Sequence, residues 1–293
     1  MRKLNVAGDI CKVKRSGEIR MHRVPLAGRR LRHGIFIAFI MMLNLCRTVP
    51  AMAQGGQNVA IYDSRPVAKA ILMLEANSGQ VITYEDPRYA YPDDVVDMTD
   101  PEYAKQHPNQ KMLDPKPRVL TLDAQTLSPA NRVNDPALLT QSVLDMQAAS
   151  GVGGAFRQVQ TGAFTHVFPS QIRDIHGNWV EQGSLLDVPI TLPEQKTDGL
   201  QALQAIVQAI TDATHMEVIV GATPWNLLAQ HQCDLAATNE PARTVLMRVL
   251  AGTNRKLSWR LLYDPGFQSY ALNIHDVDTL PFMMSSKPSA PNH

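Results

Sequence analysis

The sequence predicts an α+β fold in which small mixed or antiparallel sheets are each packed by helices. Helical stripes of apolar residues alternate with short β-rich runs, and a Pro-Gly turn between two alternating runs predicts a hairpin. With 44% hydrophobic residues the chain can bury a core, which excludes wholesale disorder.

Four helices are predicted, and three of them share proline at the start and glycine at the end. They run from Pro66 to Gly79, Pro136 to Gly151, Asp198 to Ala213 and Pro241 to Gly252. Proline fits a first turn because its missing N–H would be unpaired there, and glycine fits the exit because it adopts positive φ. We expect Ser64, Asp135 and Asn239 to cap the three proline-led helices.

Short β-rich runs lie between these helices. They are residues 58–63, 80–85, 119–123, 187–192, 216–220, 257–264 and 270–277, with two more around Gly162 in 155–168. Pro265-Gly266 joins the last two runs and predicts the hairpin. In that hairpin Leu257, Trp259, Leu261 and Tyr263 share one face of a strand, which is therefore expected to face a core.

The first 53 residues have the pattern of a secretory signal. Arg29, Arg30 and Arg32 precede an apolar run at 34–46, and an Ala-x-Ala site ends at Ala53. We expect cleavage after Ala53 and export to the periplasm or the extracellular space. An uncleaved anchor is the alternative, and either Met1 or Met21 could be the start.

The charge distribution supports this division. Residues 1–53 hold 11 of the 28 Lys and Arg and 2 of the 27 Asp and Glu, which leaves residues 54–293 with a formal charge of −8. An acidic protein lacks the basic face that phosphate binding needs, so nucleic acid is excluded as the main partner. No apolar run reaches the ~18–20 residues of a membrane span, so membrane contact is expected only through the signal segment if it stays uncleaved.

The pattern from Asp187 to Val277 resembles the short N-terminal module of secretins and TonB-dependent receptors. Its helix GLQALQAIVQAITDAT, its helix PARTVLMRVLAGT and its strands LSWRLLYD and YALNIHDV carry the resemblance. Val59 to Glu85 looks like the start of a second, diverged copy. The resemblance implies two modules, 54–185 and 186–278, each with a βαβ unit, and membership of a larger envelope complex. An acidic, Pro-rich insertion is expected at 86–118, and a disordered tail at 279–293.

No catalytic, cofactor-binding or metal-binding residue is predicted. The histidines do not show the spacing of a zinc site, and no G-x-S-x-G sequence occurs. The glycines at 151–154 follow a helix, whereas a phosphate-binding loop precedes one. Cys233, the single cysteine after residue 53, is expected to be a half-buried apolar residue, since His231 is only a weak indication of a nucleophile.

One candidate contact loop combines tyrosines with acidic residues beside prolines, a composition typical of surfaces that bind peptides or glycans. Its residues are Tyr84, Glu85, Asp86, Tyr89, Tyr91, Asp93 and Asp94. A solvated acidic loop without a function is the alternative.

Two hypotheses of function follow. The first is an exported, non-enzymatic binding protein that contacts an envelope protein or peptide through free sheet edges, which accept a partner strand by backbone pairing. The second is an envelope enzyme that acts on glycan through two carboxylates in the region 85–100. The sequence leaves the oligomeric state open.

Overall fold

The computed structural model describes residues 58–128, 135–151 and 153–281, and it confirms the α+β fold class. The predicted signal segment and the cleavage after Ala53 lie outside these residues, as does the predicted tail beyond residue 281. At the start of that tail Leu280 is buried.

Six α-helices lie in the described residues. They are α1 (Pro66–Ser78), α2 (Pro101–Gln106), α3 (Pro136–Ser150), α4 (Gly199–Thr214), α5 (Trp225–Gln230) and α6 (Ala242–Ala251). The four predicted helices are confirmed as α1, α3, α4 and α6. The sequence did not predict α2 and α5, because six residues are too few to display a periodic apolar stripe. Over the same ranges no helix is long and apolar enough to cross a membrane.

Thirteen strands accompany these helices in the described part of the chain. They are β1 (Asn58–Asp63), β2 (Val81–Glu85), β3 (Val95–Asp97), β4 (Leu113–Pro115), β5 (Arg118–Asp123), β6 (Ala155–Thr161), β7 (Phe164–Arg173), β8 (Trp179–Glu181), β9 (Pro189–Asp198), β10 (Val218–Val220), β11 (Gln232–Pro241), β12 (Leu257–Asp264) and β13 (Ser269–Asp276). The predicted hairpin is confirmed, since β12 and β13 pair antiparallel along their whole length.

Local sequence explains most helix ends. Gly79 and Gly151 take φ of 68° and 64° after α1 and α3, the left-handed region that favours glycine. Asp135 caps α3 as predicted. The caps predicted at Ser64 and Asn239 are wrong, because neither α1 nor α6 receives a side-chain cap. Asn239 instead lies in β11 with a φ of 54°, beside a register shift against β9.

The largest sheet has seven strands and mixed direction. Its order is β10-β13-β12-β2-β7-β6, and β8 pairs with the far end of β7. β2 pairs parallel with both β12 and β7, whereas the β12–β13 and β6–β7 pairs are antiparallel. β1 with β5, β9 with β11, and β3 with β4 form three separate two-stranded ribbons. The strand β2 therefore lies in the middle of the main sheet.

Two apolar clusters form the core. One is built mainly on α1, α3, β1, β2 and β5, and the other on α4, α6, β9, β12 and β13. The predicted boundary at 185/186 falls between the two clusters in sequence. The main sheet nevertheless crosses that boundary, because β2 pairs with β12, and all the described residues belong to one compact unit.

Both faces of the central strands are covered, so polar side chains become buried there. Among the described residues three carboxylates are buried, those of Glu75, Glu85 and Asp86. Glu75, in the last turns of α1, accepts a hydrogen bond from Arg260 Nη2 at 2.8 Å and lies 2.7 Å from His275 Nε2. Removing one partner of such a buried pair lowers the stability strongly, because the other charge is left buried without a counter-charge.

We expect Glu75→Gln to lower the free energy of unfolding by about 3–5 kcal/mol, because it leaves the Arg260 guanidinium buried without an anion. Urea unfolding measures the change. Glu194→Gln is the matched control, since Glu194 is exposed on β9 and its loss should change stability by less than about 0.5 kcal/mol. A loss below about 1 kcal/mol for Glu75→Gln would contradict the structural role of the pair.

Candidate functional site

The structure divides the candidate contact loop into a buried part and an accessible part. Tyr84, Glu85 and Asp86 are each no more than 3% exposed, so their assignment to an exposed contact surface is wrong. The reason is the position of β2, which has neighbours on both sides and apolar clusters against its faces. A solvated acidic loop is equally wrong for these three residues.

Glu85 is held by the C-terminal part of the chain. Its Oε1 accepts from Arg243 Nη2 at 3.0 Å, and its two oxygens accept from the Ser184 hydroxyl at 2.6 and 2.8 Å. The backbone N–H of Leu185 donates to Oε2 at 3.1 Å. Burial raises the pKa of the Glu85 carboxyl, while Arg243 and these hydrogen bonds act in the opposite direction. All these partners of the Glu85 carboxylate belong to the protein itself and hold it in the interior.

Asp86 points to the other face of the strand, as adjacent residues do. Arg65 Nε donates to its Oδ2 at 2.6 Å, and the Tyr84 hydroxyl donates to its Oδ1 at 2.9 Å. The backbone N–H of Tyr263 completes the shell at 3.2 Å from Oδ2. Burial raises the pKa of the Asp86 carboxyl against the effect of Arg65.

The remaining loop residues approach the surface. The Tyr91 hydroxyl donates to Asp93 Oδ2 at 3.0 Å. Asp94 forms ion pairs with two guanidinium groups, those of Arg118 and Arg173, and Arg173 Nε donates to its Oδ2 at 2.9 Å. The sequence pattern found Asp94 but not the two arginines, which come from the start of β5 and the end of β7.

Tyr89 and Asp94 line a pocket together with buried Tyr84, and we name it the aromatic–basic pocket. It has about 540 Å³ of empty space, part of it open to solvent, but only about 40 Å³ admits the centre of a water molecule. Its aromatic lining is Tyr84, Tyr89, Phe156 and Trp179, and its charged lining is Arg88, Lys116, Arg118, Arg173 and Asp94. Four cationic side chains and one carboxylate thus line a narrow slot.

Parallel pairing places this pocket. The carboxyl ends of β2 and β7 meet on the same side of the sheet, because the two strands are parallel. The chain leaves β2 through Arg88 and Tyr89, while β7 continues to Ile172 and Arg173. Ligands commonly bind beyond the carboxyl ends of parallel strands, where the loops leave the sheet.

Two packing details shape the wall of the pocket. The Arg173 guanidinium lies 4.4 Å from the ring centre of Tyr91 and 5.8 Å from that of Trp179, so the rings fix its orientation. At Gly154 a Cβ atom would lie 2.0 Å from the backbone oxygen of Gln171. Only glycine allows the chain to pass so close to β7 at this point.

The pocket suits binding better than acid–base chemistry. Glycoside hydrolysis needs two carboxyl groups on opposite sides of the bond to be broken, one of them free to exchange a proton. In the described pocket lining Asp94 is the single carboxylate, and two arginines hold it. The excess of cations and the flat aromatic walls instead suit a planar anionic group.

Cys233, which the sequence offered as a weak candidate nucleophile, lies outside the lining of the pocket. Cys233 is half-buried on β11, as predicted, and burial together with Asp198 and Asp234 raises the pKa of its thiol. A raised thiol pKa is the opposite of what an activated nucleophile requires. In the described ranges no three His, Cys, Asp or Glu side chains cluster as metal ligands.

No family model matches the chain, and no curated protein or solved structure matches it. The resemblance to the short module of secretins and TonB-dependent receptors therefore stays a prediction. The geometry of the described residues is the basis for any proposal about function.

A buried histidine lies in the main sheet, away from the lining of the pocket. His166 is 1% exposed, its Nδ1 lies 2.8 Å from Thr83 Oγ1, and its ring stacks on Trp259 with centroids 5.3 Å apart. Burial, with a smaller effect of Arg243, lowers the pKa of His166 from 6.5 to about 3.

Between pH 6.5 and about 3 the unfolded chain therefore binds a proton at His166 that the native chain does not. As the pH falls through this range, we expect His166 to decrease the free energy of unfolding by up to about 1.4 kcal/mol per pH unit. His166→Asn should flatten the pH dependence in this range, measured by urea unfolding. His215→Asn is the control, because exposed His215 takes a φ of 57° that asparagine also adopts. Equal slopes in the protein and in His166→Asn would contradict the buried neutral histidine.

Proposed function

We propose that this protein is an exported, non-enzymatic binding protein that holds an anionic group of its ligand in the aromatic–basic pocket. The observation that carries the proposal is the charge of the pocket, whose lining holds four cationic side chains and one carboxylate in a chain whose residues 54–293 are acidic overall. A local positive site on an acidic protein attracts an anion selectively, because the rest of the surface repels it.

Of the four cations in the pocket, Arg88 and Lys116 are the two that are free to bind an anionic group of a ligand. Arg118 and Arg173 already share Asp94, so they are oriented and partly neutralised. Arg88 and Lys116 are exposed and line the same pocket. A carboxylate entering the slot would lie between the oriented and the exposed cations, with its adjoining apolar group against the aromatic walls.

Of the two hypotheses drawn from the sequence, a peptide or protein ligand fits the lining of this pocket better than a glycan substrate does. A peptide or an envelope protein offers carboxylates and apolar groups together, which the lining of the pocket matches. The alternative, a glycan-acting enzyme, is less well supported because Glu85 and Asp86 are buried and hydrogen-bonded to structural partners. Binding through a sheet edge stays a prediction, for which β6 offers an edge strand whose first residues adjoin the pocket.

We expect benzoate to bind in the pocket and benzamide, its neutral counterpart of the same shape, to bind far more weakly. Trp179 fluorescence is the readout, since Trp179 lines the pocket and is 54% exposed. The experiment uses the Trp225→Phe background, because Trp225 is the other exposed tryptophan of the described residues, whereas Trp259 is buried.

The double variant Arg88→Gln/Lys116→Gln should weaken benzoate binding by about tenfold, because it removes two of the four cations. The control is Lys69→Gln/Lys196→Gln, which removes the same charge from exposed positions outside the pocket lining and should leave affinity within about twofold. Equal binding of benzoate and benzamide, or equal losses in the two double variants, would overturn the proposal.

A further inference from the structure

A second, wider depression adjoins the aromatic–basic pocket. Arg88 and Ile172 line both, so the two share part of their walls. The second depression, which we name the outer groove, has about 950 Å³ of empty space, of which about 510 Å³ admits the centre of a water molecule. A narrow slot thus lies beside a wider depression.

The chemistry of the outer groove differs from that of the pocket. Most of residues 182–188 line it, with Met216 and Tyr270 adding apolar surface. Its one acidic side chain in the described lining, Asp187, pairs with Arg243 at 3.1 Å. A cationic pocket therefore adjoins a mostly neutral, partly apolar groove.

From this arrangement we infer that the ligand is an extended peptide whose carboxylate lies in the aromatic–basic pocket and whose adjoining residues cross Arg88 and Ile172 into the outer groove. The inference rests on the proposed function, since it names the ligand class for the same site. A small anion would fill only the slot, whereas several residues of a chain would cover the outer groove as well.

The backbone along the outer groove favours a chain of this kind. Gly183 is exposed, and neither its N–H nor its C=O forms a hydrogen bond within the described residues. A peptide backbone passing over Ile172 can pair with such groups, while its side chains meet Leu185, Val188 and Met216. The carboxylate has two sources in a peptide, its C-terminus or an Asp or Glu side chain, and the experiment separates them.

The test uses random hexapeptide mixtures that end in phenylalanine. One mixture carries the free C-terminal carboxylate, one is amidated, and one is amidated with glutamate in place of phenylalanine. Peptides retained by the protein are identified by mass spectrometry, and the affinity of the most enriched ones is compared with that of N-acetyl-phenylalanine. We expect enriched hexapeptides with a carboxylate to bind at least about tenfold more tightly than N-acetyl-phenylalanine.

Gly183→Leu distinguishes the outer groove from the pocket. A Cβ at Gly183 meets nothing within 4 Å, so a leucine has room and would occupy the outer groove. We expect it to abolish the tenfold advantage of the hexapeptides and to leave N-acetyl-phenylalanine and benzoate unchanged, while the control Gly183→Ala keeps the advantage.

The outcomes distinguish this inference from the proposed function. Preference for the free acid assigns the C-terminus as the source, and equal enrichment of the glutamate mixture assigns the side chain; either supports a peptide ligand. Hexapeptides that bind no better than N-acetyl-phenylalanine, with benzoate binding intact, would overturn the peptide inference alone. If the unmodified protein does not bind benzoate, the proposed function itself is overturned.

Discussion

The fold depends on a short central strand that must bury two adjacent carboxylates. Glu85 and Asp86 leave β2 on opposite faces, and each meets an arginine from a different element, Arg243 on α6 and Arg65 before α1. Buried pairs of this kind add little net stability compared with apolar packing, but a wrong arrangement that separates them is costly. We therefore expect them to specify how β2 lies between β7 and β12 more than how stable the protein is.

The position of the pocket follows from that constraint. Asp86 ends the pairing of β2, with its backbone N–H donating to Leu261 O at 2.8 Å, and the next residues turn out of the sheet. Because β7 runs parallel to β2 and extends beyond it, Arg173 reaches the same place from the other side. The same carboxylate pairs that join the two clusters of the core thus place Arg88 and Tyr89 opposite Arg173.

Local pattern predicted the elements well and their assembly poorly. The apolar stripes and the proline and glycine positions identified four helices, because those residues act within one or two turns. The same reasoning placed Tyr84 and Glu85 at the end of a strand but assigned them, with Asp86, to a contact surface. It missed their burial because partners in β12 and α6 lie more than 150 residues further on. The pocket could not be found in this way either. Arg173 and Trp179 meet through the pairing of β7 with β8, and Arg118 comes from the separate β1–β5 ribbon.

The central claim is that β2 joins the parts before and after residue 185 into one cooperative unit. Calorimetric unfolding of the protein tests this most directly. The account predicts one transition whose van't Hoff enthalpy equals the calorimetric enthalpy, because neither cluster can unfold without exposing the charges buried around β2. Two separate transitions, or a van't Hoff enthalpy about half the calorimetric value, would contradict it and favour two modules that fold independently.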